Sequence, residues 1–280
     1  MGQTVKYINS KGVSMDLTDG WSVRIRKKTA GFYAYEYTPD VTALAQGVRV
    51  DRMTKGAAEY DMIIDFTGTP EGRAYNLQKF FEVVDYDVAM LCPGKLYVGD
   101  QYIEGYIIKS DVEYYEDRHR TLGKRCTLYA PYPYWIEDKE LRYRKIEGVT
   151  SNGIEFAFDW HVDLGRAVRG TSTVVNTHYI PSSFVLTFFG PATNPSVTIG
   201  GNVYRVNTTV LTGEHLRIDS SKKTVVKHTA GGSEVNEYNN RYKASSIFKP
   251  IQPGVNLLAW TGDFSFNLML HQERGELKWI

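Results

Sequence analysis

Apolar residues along most of this chain recur at every second position. Lys95–Val98 and Gln101–Ile108 are alternating runs on either side of Gly99-Asp100, which predicts a hairpin. Thr121–Tyr129 alternates as well. Ile154, Phe156, Phe158, Trp160, Val162 and Leu164 are separated by Glu155, Ala157, Asp159, His161 and Asp163, the pattern of a strand with one buried and one wet face. Phe184–Phe189 reads as a strand without clean alternation. Val197–Ile199 and Val203–Val206 flank a tight turn at Gly200-Gly201-Asn202. Short strands follow around Leu216 and Ile218 and at Thr224–Lys227, and Phe264, Phe266, Leu268 and Leu270 alternate strictly.

One segment has a different period. Thr69 is placed as an N-cap, Pro70 as the first helical residue, and Glu71 puts negative charge in the first turn, where the helix dipole favours it. Ala74, Leu77, Phe80, Phe81 and Val84 then recur at three- and four-residue spacing. This predicts one helix over about 70–85, ending near Asp85. Segment Tyr37–Glu59 carries few large apolar residues and no firm periodicity. So long a connection points to an exposed loop or to an arm ordered against a neighbouring subunit.

Ala130-Pro131-Tyr132-Pro133-Tyr134-Trp135 resists continued sheet pairing and is followed by a charged stretch. It divides the chain into 1–137, strands with one helix, and 138–280, all strands. The predicted class is therefore mainly β: a β-sandwich or barrel-like first domain with one α-helix, then a β-sandwich.

Composition narrows the function. The 280 residues hold 33 Lys and Arg against 32 Asp and Glu, a formal charge of +1, which argues against a dedicated nucleic-acid binder. The N-terminus lacks the apolar run of a secretory signal, and Lys6 stands where myristoylation needs Ser or Thr. The sequon Asn207-Thr208-Thr209 has no meaning without secretion. No apolar run approaches a membrane span. The two cysteines, Cys92 and Cys126, read as free thiols, with Cys126 in a buried register.

The search for chemistry mostly returns blanks. Zincin, Cys-x-x-Cys, nucleophile-elbow, P-loop and dinucleotide-binding patterns are missing from the sequence. Asp159, His161 and Asp163 share a strand face and could hold a cation, but the polar face of an amphipathic strand explains all three without added assumptions, and the other strand faces offer no fourth ligand. Glu82 and Asp85-Tyr86-Asp87 could be catalytic carboxylates; a solvated helix end explains them better. Arg24-Ile25-Arg26-Lys27-Lys28 and Arg118-His119-Arg120 with Lys124-Arg125 are basic, but Asp111, Glu113, Glu116 and Asp117 lie beside the second cluster, the mark of a salt-laced hairpin. No catalytic, cofactor-binding or metal residue is assigned.

The ordered motifs of the C-terminal third carry a resemblance. Gly190-Pro191-Ala192-Thr193-Asn194-Pro195 follows the strand at Phe184–Phe189. Leu211-Thr212-Gly213-Glu214-His215-Leu216-Arg217-Ile218-Asp219 comes next, then Ser246-Ile247-Phe248, Pro253-Gly254-Val255-Asn256 and Gln272-Glu273-Arg274-Gly275-Glu276-Leu277-Lys278-Trp279-Ile280. Asn9-Ser10-Lys11-Gly12, the helix with its following hairpin, and Tyr129–Trp135 extend the likeness through the first half. In this order they resemble the distal tail protein (Dit) family of long-tailed phages. The resemblance implies an N-terminal ring-forming domain and a C-terminal galectin-like sandwich. It also implies a homo-hexameric ring at the virion tail tip or baseplate, made in the host cytoplasm, without cofactor or catalysis. The ring would join the tail tube protein to tail-tip and receptor-binding proteins and let DNA pass without binding it. An alternative is a carbohydrate-binding sandwich that attaches the tail to the cell surface on Trp160, Trp260 or Trp279. A third, an envelope glycosidase, lacks a convincing carboxylate pair.

Overall fold

The structure, a computed structural model, describes residues 4–18, 22–26, 31–116, 120–146 and 171–278. The strand expected at Ile154–Leu164 lies outside them, as do Asp159, His161, Asp163, Trp160 and Trp279. Two compact units form: Met1–Glu137 with Glu273–Ile280, and Asp138–Gln272. The last eight residues thus go with the first unit, whereas the sequence boundary places them in the second.

The first unit contains β1 (Val5–Ile8), β2 (Ser14–Asp16), β3 (Val23–Ile25), β4 (Thr38–Ala43), β5 (Val48–Thr54) and β6 (Ala58–Thr67). Helix α1 (Pro70–Met90) follows, then β7 (Gly94–Val98), β8 (Gln101–Glu116) and β9 (Thr121–Ala130). Antiparallel pairing runs β2-β1-β7-β8-β9-β6-β3. The chain beyond β2 then meets β3: Ile25 N–H donates to Leu17 O at 2.9 Å, and Thr18 bridges Arg24. The path closes on itself, which gives the expected barrel-like character and removes an open edge. Two bulges bend the long β8 where it pairs with β9. The start of β10 (Trp135–Tyr143) adds to β8 through Ile136 and Glu137.

Helix α1 begins as the sequence predicts: Thr69 accepts a hydrogen bond from Gly72 N–H, and Pro70 follows. It ends later, at Met90, with Leu91 in the left-handed conformation as its cap. The buried stripe is Arg73, Phe80, Val83, Val84 and Asp87, with Leu77 and Phe81 half-buried beside it and Ala74 exposed. The periodicity continues past Asp85, but its next member is a charged residue. Phe80 packs edge-on against Phe66 of β6 at 5.7 Å. The core beneath holds Tyr7, Phe32, Phe66 and Trp135, all almost fully buried, and includes Leu277 from the C-terminal segment.

The second unit is a sandwich of two antiparallel sheets. One holds β12 (Ser183–Phe189), β17 (His215–Asp219), β18 (Thr224–His228), β19 (Glu234–Asn236) and β21 (Phe266–Arg274), in the order β19-β18-β17-β12-β21. The other runs β11-β20-β14-β15, from β11 (Thr171–Asn176), β14 (Ser196–Ile199), β15 (Asn202–Arg205) and β20 (Gly254–Trp260). Two short strands, β13 (Ala192–Thr193) and β16 (Thr209–Val210), pair apart from both. Phe184, Leu186, Phe188, Leu216, Ile218, Leu268 and Leu270 face Val174, Val197, Ile199, Tyr204 and Leu258 across one core. The β14–β15 turn is Gly200-Gly201, both at positive φ, the two-residue connection that matches strand twist; Asn202 already belongs to β15.

Candidate assembly surface

Segment Tyr37–Glu59 is neither a loop nor aperiodic. Its centre is a hairpin of β4 and β5 in which every strand residue is exposed. Cross-strand partners are Pro39 with Met53, Val41 with Val50, and Ala43 with Val48 on one face, and Asp40 with Arg52 and Thr42 with Arg49 on the other. The register shifts between Asp40 and Val41, so Asp51 is an extra residue and Met53 returns to the phase of Val48 and Val50. The polar face is internally satisfied: Arg52 reaches Asp40 at 3.3 Å, Arg49 reaches Asp51 at 2.7 Å, and the Thr42 hydroxyl donates to Asp51. Among the described residues this apolar face is left open: Val41, Val48, Val50 and Met53 are 45–59% exposed.

The base of this arm is held firmly. Tyr35 and Tyr37 meet edge-to-face at 5.6 Å where the chain enters. Where it leaves, the Lys55 ammonium lies over the Tyr134 ring and donates to Pro133 O and, at 2.5 Å, to Gly275 O. Burial lowers the Lys55 pKa, against the opposing pull of Glu276. The Tyr132 hydroxyl donates to Glu273 at 2.6 Å; burial first, and that carboxylate second, push its pKa up. A free-standing two-stranded hairpin is marginal in water, so an extended arm needs such an anchored root.

No protein-family model and no curated protein matches this sequence. Solved structures do match. The SPP1 Dit protein, described as a paradigm of the hub adsorption apparatus in phages infecting Gram-positive bacteria, aligns over 96% of this chain and 99% of its own, with a TM-score of 0.59 at 9% identity. A chain of the phage P2 baseplate in its activated conformation with Ca aligns over 99% and 100%, with a TM-score of 0.61 at 11% identity. The same baseplate with Sr gives 98% and 99%, 0.61 and 12%. The chain has the Dit hub fold.

On this Dit-like fold the other candidates resolve into structural roles. Asp87 is wholly buried: its Oδ2 accepts from the Tyr7 hydroxyl at 2.6 Å and its Oδ1 from Ser10 N–H at 2.7 Å. It ties α1 to β1 and the turn beyond, and it is no exposed acid or base. Glu82 is exposed and pairs with Gln78 at 2.8 Å, and Asp85 is exposed on the helix surface. In the basic clusters, Arg26 is paired with Asp65 at 2.9 Å, and Arg125 makes a two-pronged contact with Glu113 at 2.7 Å. Lys27, Lys28, Asp117, Arg118 and His119 lie outside the described residues. Trp260 packs against Tyr143 and Phe266, partly buried at the margin of the core. Cys92 is exposed and free. Cys126 is buried and free, and burial pushes its thiol up to about 11. Among the described residues no helix is long and apolar enough to cross a membrane.

Proposed function

We propose that this protein is a non-catalytic hub of a phage tail tip or tail-derived particle. Six copies form a ring that joins the tail tube to the tail-tip and receptor-binding proteins, and DNA leaves through its channel. The fold shared with Dit and baseplate chains supports the tail-tip setting. The observation that carries the ring is the arm: a satisfied polar face, a rooted base, and an apolar face that is exposed among the described residues.

Covering one Val or Met side chain contributes about 1.5–3 kcal/mol. Association costs about 4–15 kcal/mol. One arm seated on one neighbour is therefore marginal. In a closed ring each subunit both gives an arm and receives one, and heterologous contacts of this kind close without loose ends. The near-zero total charge suits a channel that DNA crosses without salt-dependent binding. The test is the solution mass of the purified protein together with negative-stain images. A six-membered ring is the expected result. A strict monomer at all concentrations, and equally in the presence of the tail tube protein, would overturn the proposal.

A further inference from the structure

The outer face of the β19-β18-β17-β12-β21 sheet in the second unit carries an unusual lateral row. His215 of β17 stands directly opposite His228 of β18, and His228 stands directly opposite Glu234 of β19. The two imidazole rings stack with centroids 4.5 Å apart and planes 12° apart. His228 Nδ1 lies 3.5 Å from Glu234 Oε1. On the other side the row ends at Phe189 of β12, which is opposite His215 with its ring 6.4 Å away. The row therefore reads apolar wall, imidazole, imidazole, carboxylate, with the carboxylate 68% exposed at the sheet edge.

We propose that His215, His228 and Glu234 form a binding site for a late first-row divalent metal, with Zn2+ as its representative. Two imidazoles and one carboxylate are a donor set suited to such ions, and water can fill the open fourth position. Adjacent antiparallel strands hold opposed side chains about 4.5–5.5 Å apart, so two imidazoles in register can reach one ion without backbone movement. Among the described residues no three such groups already converge as a cage. The stacked rings explain this: face to face, their nitrogens lie side by side. Binding therefore requires rotation about the side-chain bonds to turn the nitrogens toward one point. Arg217, on the same face of β17, lies 3.6 Å from Asp219, which offsets part of its charge beside the row. Phe189 flanks the row on one side, while Glu234 on the edge strand leaves the other side open to a hydrated ion.

The proposal is independent of ring formation, and its test can be run on any oligomer. Zn2+ is titrated calorimetrically into untagged, full-length protein at pH 7.5. One ion per chain is expected. His215→Asn and His228→Asn should each weaken binding by about tenfold or more, with a smaller loss for Glu234→Gln. Binding should also weaken as the pH falls, because protons and metal compete for the imidazole nitrogens. His228→Tyr keeps an aromatic ring in the stack without a comparable ligand nitrogen, and must lose Zn2+ while melting like the parent in EDTA. No Zn2+ binding, or binding unchanged in the His215→Asn/His228→Asn double variant, overturns the assignment.

Discussion

Asp87 shows how far a single residue's meaning depends on its surroundings. In the sequence it is one of two acids at a helix end. In the fold it is completely buried, with both oxygens occupied. Gly94 is part of the same arrangement, because a methyl group there would overlap the Tyr7 hydroxyl and Asp87 Oδ2. Gly94→Ala should cost about 1–3 kcal/mol through overpacking, read as a lower denaturation midpoint. An unchanged midpoint would show that the helix is not tied down at this point. Glu237, in the second unit, is buried yet keeps its charge. Burial raises its pKa, but hydrogen bonds from Asn240, Lys227 and Thr208 outweigh that, and the net shift is downward. A carboxylate whose folded pKa lies below its unfolded value stabilises the fold above the unfolded value, about 4.3. That stability is lost as pH falls through the folded pKa. The melting-temperature gap between the parent and Glu237→Gln should therefore be constant near neutrality and shrink below about pH 4. A gap independent of pH would contradict this.

At the scale of elements, legibility followed the regularity of the pattern. The β7–β8 and β14–β15 hairpins were readable because alternation met a turn signal, and α1 because its cap and first turn are local chemistry. Its last turn was hidden because the buried stripe continues through Asp87, and polar satisfaction by Tyr7 and Ser10 is a tertiary fact. The strand pairing within the arm was missed for a sharper reason: the extra residue Asp51 puts an odd spacing between Val50 and Met53, which nonetheless share a face, so a strict period-two reading breaks halfway. Its exposed apolar face also lacks the large residues that mark a core strand. Because this face is exposed among the described residues, Val41→Asp with Val50→Lys should leave thermal stability within about 0.5 kcal/mol of the parent, as expected for surface changes. The same pair should abolish the proposed ring by solution mass. A ring that persists, or a large stability loss, would show that the arm's apolar face packs elsewhere.

For the molecule as a whole, the decisive feature is that the first unit is closed by the chain's far end. Nothing in its periodicity announces this: Gln272–Ile280 holds Leu277, Trp279 and Ile280 among mostly polar and charged residues. Yet Leu277 is 1% exposed inside the first unit's core, and its N–H donates to Phe32 O at 3.2 Å. Lys278 N–H donates to Gln101 Oε1 at 2.9 Å, and Gly275 O accepts from Lys55 at the root of the arm. Such long-range contacts carry the largest loop-closure cost, so they persist only if they return more than they cost. Removing Gly275–Ile280 leaves β21 intact while opening a cavity at Leu277 and stripping Lys55 of one carbonyl partner. Leu277→Ala alone should cost about 2–5 kcal/mol, and the truncation at least as much. Hydrogen exchange gives the discriminating readout. Protection should fall at Phe32, Gln101 and the Lys55 root, while amides of β12 and β17 in the second unit keep theirs. Truncated chains should then present a loosened arm and form fewer rings than the parent at equal concentration. Unchanged protection at Lys55 would separate the arm from the C-terminal strap and leave the strap a purely local patch on the core.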